Sequence, residues 1–126
     1  MNITPEKLDE LIRIVHLAGV EIIKIYKKKV TKKYKSDNTP VTNADIRAND
    51  IICKGLKLHF PEISIVSEEQ VKKGKAAKKF WLVDPLDGTK EFLKGNGEFT
   101  VNIGLIENKK PVFGIIYMPT KNKLYF

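Results

Sequence analysis

The chain has 126 residues, of which 42% are hydrophobic and 30% charged, a composition typical of a soluble globular domain. No apolar run approaches the roughly 18 residues that a membrane-spanning helix needs, and the N-terminus lacks the basic-then-apolar pattern of a secretory signal. The single cysteine, Cys53, excludes an internal disulfide, fits a reducing compartment, and is expected to be a small core residue.

The net charge of +8 is carried almost entirely by lysine, since Arg13 and Arg47 are the only arginines. Such an excess can attract nucleic acid, anionic lipid or phosphorylated metabolites. The lysines cluster within residues 27–33 and 72–79, without the arginines and stacking aromatics that nucleic-acid-binding surfaces usually combine with them. We therefore interpret them as solvated faces and loops, and we expect no nucleic-acid partner.

The predicted elements begin with two helices. Thr4-Pro5-Glu6 is typical of a helix start, and apolar residues at helical spacing predict a first helix that ends near Lys28. After a polar loop, Thr42 or Asn43 is expected to cap a second helix that runs to about residue 59.

Strands follow the helices. We expect five of them, at residues 63–67, 80–83, 99–106, 111–118 and from 123 onwards. The second is apolar throughout and is expected to be buried on both faces. A turn at residues 84–89 and one helical turn at 90–93 follow it, and residues 107–110 form a hairpin between the two long strands. This order predicts an α+β fold in which two N-terminal helices pack on a mostly antiparallel sheet.

The candidate chemistry lies in the sequence Asp-Pro-Leu-Asp-Gly-Thr at residues 84–89. Asp84 and Asp87 leave a buried strand three positions apart, and two ionised acids that close repel each other unless a cation lies between them. Oxygen ligands suit magnesium, and the backbone N–H groups of Gly88 and Thr89 at a helix start suit a phosphate oxygen. The motif therefore predicts a turn that holds a metal ion and a phosphate, and the alternative is an ordinary Asp-Gly turn with a capping threonine.

Two other acid-rich sites are disfavoured by spacing. An EF-hand loop that started at Asp84 would have Leu86 at its third position and Gly95 at its twelfth, where acids are required. Phosphatases that form an aspartyl phosphate separate their two acids by a single residue, whereas Pro85 and Leu86 intervene here.

Further acids occur upstream of this motif. Glu68 and Glu69 follow the first predicted strand, and Asp45 is expected in the first turn of the second helix. Considered alone, Glu68 and Glu69 could simply lie in a solvated loop. Asp45 could simply make a favourable contact with the dipole at the start of the helix.

Taken together, three blocks resemble the inositol monophosphatase superfamily. The first is Pro-Val-Thr-Asn-Ala-Asp at residues 40–45, and the second is Phe-Pro at 60–61 with Ser-Glu-Glu at 67–69. The third is Trp-Leu-Val-Asp-Pro-Leu-Asp-Gly-Thr-Lys-Glu-Phe at 81–92. Leu86, the Lys-Glu-Phe at 90–92 and the stretch 96–103 are similar to the bacterial 3'(2'),5'-bisphosphate nucleotidases of that superfamily. The resemblance implies a layered sugar-phosphatase-like fold and a magnesium-dependent enzyme, with two or three ions per site, that removes the 3'-phosphate of adenosine 3',5'-bisphosphate to give AMP.

The resemblance also implies roles for single residues. Metal ligands are implied at Glu68, Asp84, the backbone carbonyl of Leu86, and Asp87. Glu68 and Thr89 would orient and deprotonate the attacking water, and Asp45 would lie near a further metal ion. Phosphate contacts are implied at Asp87, Gly88 and Thr89.

The matching blocks belong to the N-terminal half of such enzymes. We therefore expect residues 1–126 to form an N-terminal α+β domain without the C-terminal half, weakly active or inactive alone. Lithium sensitivity and a cytoplasmic location are implied, with peripheral attachment to the inner membrane face and homo-oligomerisation left open. An inositol monophosphatase-type sugar phosphatase and a non-catalytic basic anion-binding module remain the alternatives.

Overall fold

The computed structural model describes residues 3–29, 40–66, 73–74 and 77–126. Its helices are α1 (Pro5–Lys29), α2 (Pro40–His59) and α3 (Thr89–Lys94). Its strands are β1 (Ser64–Val66), β2 (Lys79–Asp87), β3 (Thr100–Glu107), β4 (Lys110–Met118) and β5 (Lys123–Tyr125). None of the helices in these described ranges is long and apolar enough to cross a membrane.

The first helix begins as predicted, because the side chain of Thr4 caps it. The Lys7 backbone N–H donates to Thr4 Oγ1 at 3.2 Å, and the Leu8 N–H donates to the Thr4 carbonyl at 2.9 Å. The buried residues of α1 and α2 then face each other and the sheet; those without exposed surface are Leu11, Val15, Ala18, Ile22, Ala44, Ala48, Ile52 and Leu56. Burial of this apolar surface fixes the two helices against one another.

The predicted start of α2 is wrong, although its end at His59 is confirmed. The helix begins at Pro40, so Thr42 and Asn43 lie inside it rather than capping it. Proline is favoured in the first helical turn because its missing N–H would be unpaired there in any case. Asp45 consequently lies in the second turn, beyond the part of the helix where the dipole effect is strong.

The sheet has the strand order β1-β2-β3-β4-β5. The β1–β2 pair is parallel and the other three pairs are antiparallel, which confirms the predicted mostly antiparallel sheet and the α+β class. Asn108 and Lys109 connect β3 to β4 with φ values of 52° and 67°, as a tight hairpin turn between twisted strands requires.

The helices cover only one face of the sheet, which we call the inner face. Trp81, Val101 and Ile103 have at most 1% of their surface exposed, whereas Leu82 and Val83 are half-buried. The prediction that residues 80–83 are buried on both faces therefore holds for Phe80 and Trp81 and is wrong for Leu82 and Val83.

The prediction that Cys53 is a core residue is also wrong. Cys53 is half-buried, because it lies beside the buried face of α2.

Strand β2 does not end where the sequence predicted a turn. It continues to Asp87, and its pairing with β3 shifts between Asp84, which is opposite Asn102, and Asp87, which is opposite Thr100. Two residues of β2 therefore face one residue of β3, which is the definition of a β-bulge. Pro85 fits this place because it has no N–H to contribute to the ladder.

Candidate functional site

The bulge directs both acids of the motif to the outer face of the sheet, the face opposite the helices. Val101 and Ile103 point into the core, so Asn102 between them points outward, and Asp84, as its cross-strand partner, shares that face. The Asn102 side chain donates from Nδ2 to Asp87 Oδ2 at 3.2 Å. The side-chain amide of Asn102 therefore has the half-buried Asp84 on the neighbouring strand and the exposed Asp87 as its hydrogen-bond partner.

Gly88 forms the corner between β2 and α3. Its φ of 90° and ψ of 49° lie in the left-handed region, and a Cβ atom would lie 3.2 Å from the Glu98 carbonyl oxygen and 3.3 Å from Phe99 Cα. Both neighbours are backbone atoms that cannot rotate away, and only glycine adopts this conformation without strain. The corner of the motif therefore requires the glycine that follows Asp87.

Helix α3 is too short to be stable alone and is held by aromatic packing. The rings of Tyr26, Phe92 and Phe99 form a closed cluster with centroid distances of 4.9–5.4 Å, and Phe92 and Phe99 are fully buried. At the other end, the N–H of Gly95, with φ 77°, donates to the Glu91 carbonyl at 3.1 Å. These contacts confirm the predicted helical turn and anchor the corner at Gly88 to α1.

The structure places Asp84 and Asp87 on the same face of the sheet beside Asn102, but the described part of the chain holds no complete metal site. Among the described residues no group of three or more histidine, cysteine, aspartate or glutamate side chains could hold a metal ion. Glu68 and Glu69 lie outside the described residues, as does the side chain of Thr89. The predicted convergence of Glu68 with the aspartate pair therefore stays a prediction.

Asp45 lies on α2 and is not part of a cluster with the aspartate pair in the described ranges. Its side chain is exposed as a whole, yet the protein around its carboxyl group removes part of the hydration and raises its pKa above the ordinary value. The implied role near a further metal ion stays a prediction.

Asn102 is a residue to which sequence reasoning assigned no role. Its Oδ1 atom is buried and has no hydrogen-bond partner within the described part of the chain, which is uncommon for a buried acceptor. The only signal in the sequence was a lone amide in the strand Thr-Val-Asn-Ile-Gly-Leu-Ile-Glu. Together with two carboxylates it makes an all-oxygen set of acceptors, which fits a hard cation such as magnesium.

An open cavity of about 670 Å³ adjoins this group on the outer face. Asp84 and Asn102 lie at its polar side, while Leu82, Ile116 and Tyr125 contribute apolar walls. Ligand sites commonly combine such an apolar lining with a few convergent polar groups.

The family model for the inositol monophosphatase family matches residues 5–126. The chain belongs to the inositol monophosphatase family. This confirms the resemblance inferred from the three sequence blocks, and the matched range includes α1, α2 and the whole sheet.

Relatives in this family share both sequence and fold with the chain. A 3'(2'),5'-bisphosphate nucleotidase, CysQ, of Buchnera aphidicola is 50% identical over 98% of the chain and 49% of its own length. The crystal structure of CysQ from Bacteroides thetaiotaomicron superposes with a TM-score of 0.73 at 42% identity, covering 93% of this chain and 44% of that one. An inositol monophosphatase from Zymomonas mobilis gives a TM-score of 0.77 at 30% identity, with coverages of 96% and 47%. The chain thus spans about half the length of these family members.

Proposed function

We propose that this chain belongs to a magnesium-dependent phosphatase that removes the 3'-phosphate of adenosine 3',5'-bisphosphate and releases AMP and phosphate. The observation that carries the proposal is the bulge that turns Asp84 and Asp87 to one face beside Asn102. The 50% identity to a bisphosphate nucleotidase supports the choice of substrate. The cavity next to the acids supports a small-molecule ligand.

The acids of the motif would hold the metal. We assign Asp84, Asp87 and the backbone carbonyl of Leu86 to this role, with Glu68 as a further ligand and two or three Mg²⁺ ions in the complete site. Bound magnesium would supply positive charge that acidifies a water molecule and stabilises the phosphoryl oxygens. The all-oxygen composition of the two carboxylates and the Leu86 carbonyl supports this assignment.

Other residues of the chain would handle the water and the phosphate. Glu68 and Thr89 would orient the attacking water and take its proton, and Asp45 would lie near a further cation through water. Gly88 and Thr89 would donate backbone N–H groups to the phosphate beside Asp87. The left-handed corner at Gly88 supports this part of the proposal, because the two amides follow the second acid at the start of α3.

A sugar phosphatase of the inositol monophosphatase type is the second candidate. The TM-score of 0.77 to the Zymomonas mobilis inositol monophosphatase favours it, because that protein has the same fold and its name gives a different substrate. A non-catalytic anion-binding module would instead exploit the net charge of +8. We propose a cytoplasmic enzyme without a nucleic-acid partner.

A phosphate-release assay distinguishes the candidates. The protein that contains this chain is incubated with adenosine 3',5'-bisphosphate or with inositol 1-phosphate, in magnesium and after chelation with EDTA, and the Asp87→Asn variant serves as the control for contaminating phosphatase. We expect magnesium-dependent turnover, inhibition by lithium, and a higher kcat/KM for the bisphosphate. A reversed preference would favour the sugar phosphatase. Salt-sensitive anion binding without phosphate release would favour the binding module.

The same assay applied to residues 1–126 alone tests the completeness of the site. We propose weak or no turnover, because relatives use a chain about twice as long for the same named activity. Turnover within about tenfold of the Buchnera aphidicola relative, a difference of only about 1.4 kcal/mol in barrier, would contradict this proposal.

A further inference from the structure

The stability of the fold does not account for an asparagine at position 102. Asparagine is disfavoured in strands, yet Asn102 lies in the middle of β3, directly opposite the apolar Ile116 of β4. An apolar residue at this position would match that neighbour and the apolar wall of the adjoining cavity.

The buried Oδ1 atom strengthens this point. An acceptor without a partner in a buried place destabilises the folded chain, and Asn102 Oδ1 has no partner among the described residues. Nor does an alternative orientation of the amide resolve this, since rotating it would turn Oδ1 toward the Asp87 carboxylate, and two acceptors repel. Among the described residues, the hydrogen bond that the Asn102 side chain makes is the one to Asp87, and its unpartnered Oδ1 atom brings no stability in return for its burial.

That contact links the two acids of the motif through Asn102. Asn102 is the register partner of Asp84, and its Nδ2 atom reaches Asp87 Oδ2 across the bulge at 3.2 Å. Asp87 is exposed, so its carboxylate would otherwise sample several rotamers. A neutral amide holds the carboxylate without neutralising it, whereas a lysine or arginine at this position would offset one of the two negative charges.

We propose that Asn102 is a positioning residue of the candidate cation site: its amide holds the Asp87 carboxylate beside Asp84, so that both acids face one divalent cation. The proposal rests on the proposed function, since it assigns a role within the same site. Neighbours that orient metal ligands by hydrogen bonds typically contribute about 10- to 100-fold to metal affinity. The role is indirect, because Asn102 acts through Asp87.

The test compares the same substitution at two asparagines. Asn102→Leu removes the contact to Asp87 together with the unpartnered Oδ1. Asn122→Leu removes a contact elsewhere, since Asn122 Oδ1 accepts from the Tyr117 hydroxyl at 2.8 Å, and it also places leucine at a φ of 49°. Binding of Mn²⁺ to the protein that contains this chain is measured by electron paramagnetic resonance, and its melting temperature is measured without cations.

The two variants should respond in opposite ways. Asn102→Leu should raise the Kd for Mn²⁺ about tenfold or more and leave the melting temperature of the cation-free chain unchanged or higher. Asn122→Leu should lower the melting temperature and leave the Kd for Mn²⁺ unchanged.

Each other outcome overturns the inference. A Kd that is unchanged in Asn102→Leu, with normal binding by the wild-type chain, would remove the positioning role and leave the proposed function standing. A lower melting temperature for Asn102→Leu would mean that the residue supports the fold instead. Absence of Mn²⁺ binding by the wild-type protein that contains this chain, at millimolar concentrations, would reject the cation site itself, and the inference with it.

Discussion

Replacing Gly88 by alanine tests whether the corner of the motif is held by its surroundings. Alanine in the left-handed region costs about 1–2 kcal/mol, and part of that cost is offset because alanine restricts the unfolded chain. At Gly88 the new Cβ would also lie 3.2 Å from the Glu98 carbonyl oxygen and 3.3 Å from Phe99 Cα. Relieving this crowding requires a backbone shift that costs roughly a further 1–3 kcal/mol. Gly88→Ala should therefore lower the free energy of unfolding by about 3 kcal/mol.

Gly95→Ala is the matched control, because it isolates the conformational part of the cost. Gly95 has a similar φ of 77°, but the nearest atom to its Cβ would be Tyr26 Oη at 3.8 Å, an ordinary contact. We expect a loss of about 1 kcal/mol for this variant. For a chain of this size, each kcal/mol corresponds to roughly 4 °C in melting temperature, so the two variants should differ by about 8 °C.

Urea denaturation followed by the fluorescence of Trp81 measures both losses. Trp81 is the single tryptophan and is fully buried in the core, so its emission reports global unfolding. Equal losses for Gly88→Ala and Gly95→Ala would contradict this prediction, because they would mean that the backbone atoms around Gly88 impose no constraint on the corner.

Three further predictions test the surrounding structure. Phe92→Ala removes a fully buried ring and should cost about 3–5 kcal/mol, whereas the exposed Phe126→Ala should change stability by less than about 0.5 kcal/mol; similar losses in urea would contradict the assigned core. Tyr117→Phe removes the hydroxyl that donates to Asn122 and should cost about 1 kcal/mol in the same assay, and no loss would mean that water replaces the contact. Burial raises the pKa of Asp45, which means that the ionised carboxylate is less stable in the folded chain than in the unfolded chain. The ionised carboxylate therefore lowers the stability of the fold at neutral pH, and this loss of stability disappears as the pH falls and the group is protonated. Asp45→Asn should therefore raise the melting temperature of the cation-free chain at about pH 7 and not at about pH 3, below the ordinary aspartate pKa of about 3.9; a rise of equal size at both would contradict it.

Local patterns predicted most of the fold. The cap at Thr4 and the apolar spacing that follows it predicted α1 within one residue of its end at Lys29, because both signals are properties of neighbouring residues. Alternating apolar residues and the turn at Asn108 likewise predicted the β3–β4 hairpin. The start of α2 was missed because Pro40 was assigned to the loop, although proline is compatible with a first helical turn.

The features that shape the candidate site depend on contacts between distant parts of the chain. The bulge after Asp84 arises from the pairing of β2 with β3. The sequence of the motif does not by itself show that two residues of β2 will lie opposite one residue of β3. The contact of Asn102 with Asp87 joins positions 15 residues apart and exists only in this register. Sequence reasoning therefore identified the two acids but not the amide between them.

A double variant, Asp84→Asn with Asp87→Asn, tests the proposed metal and phosphate site directly. Phosphate release from adenosine 3',5'-bisphosphate at saturating magnesium is compared between this variant and wild type, in the protein that contains this chain. We predict a fall in kcat/KM of about a thousandfold or more, about 4 kcal/mol of transition-state stabilisation, because the variant has lost both charges that would hold the cation. The double variant should remain folded, since Asp87 is exposed and Asp84 only half-buried. A folded double variant that hydrolyses the bisphosphate as fast as wild type would contradict the assignment of this turn as the metal and phosphate site.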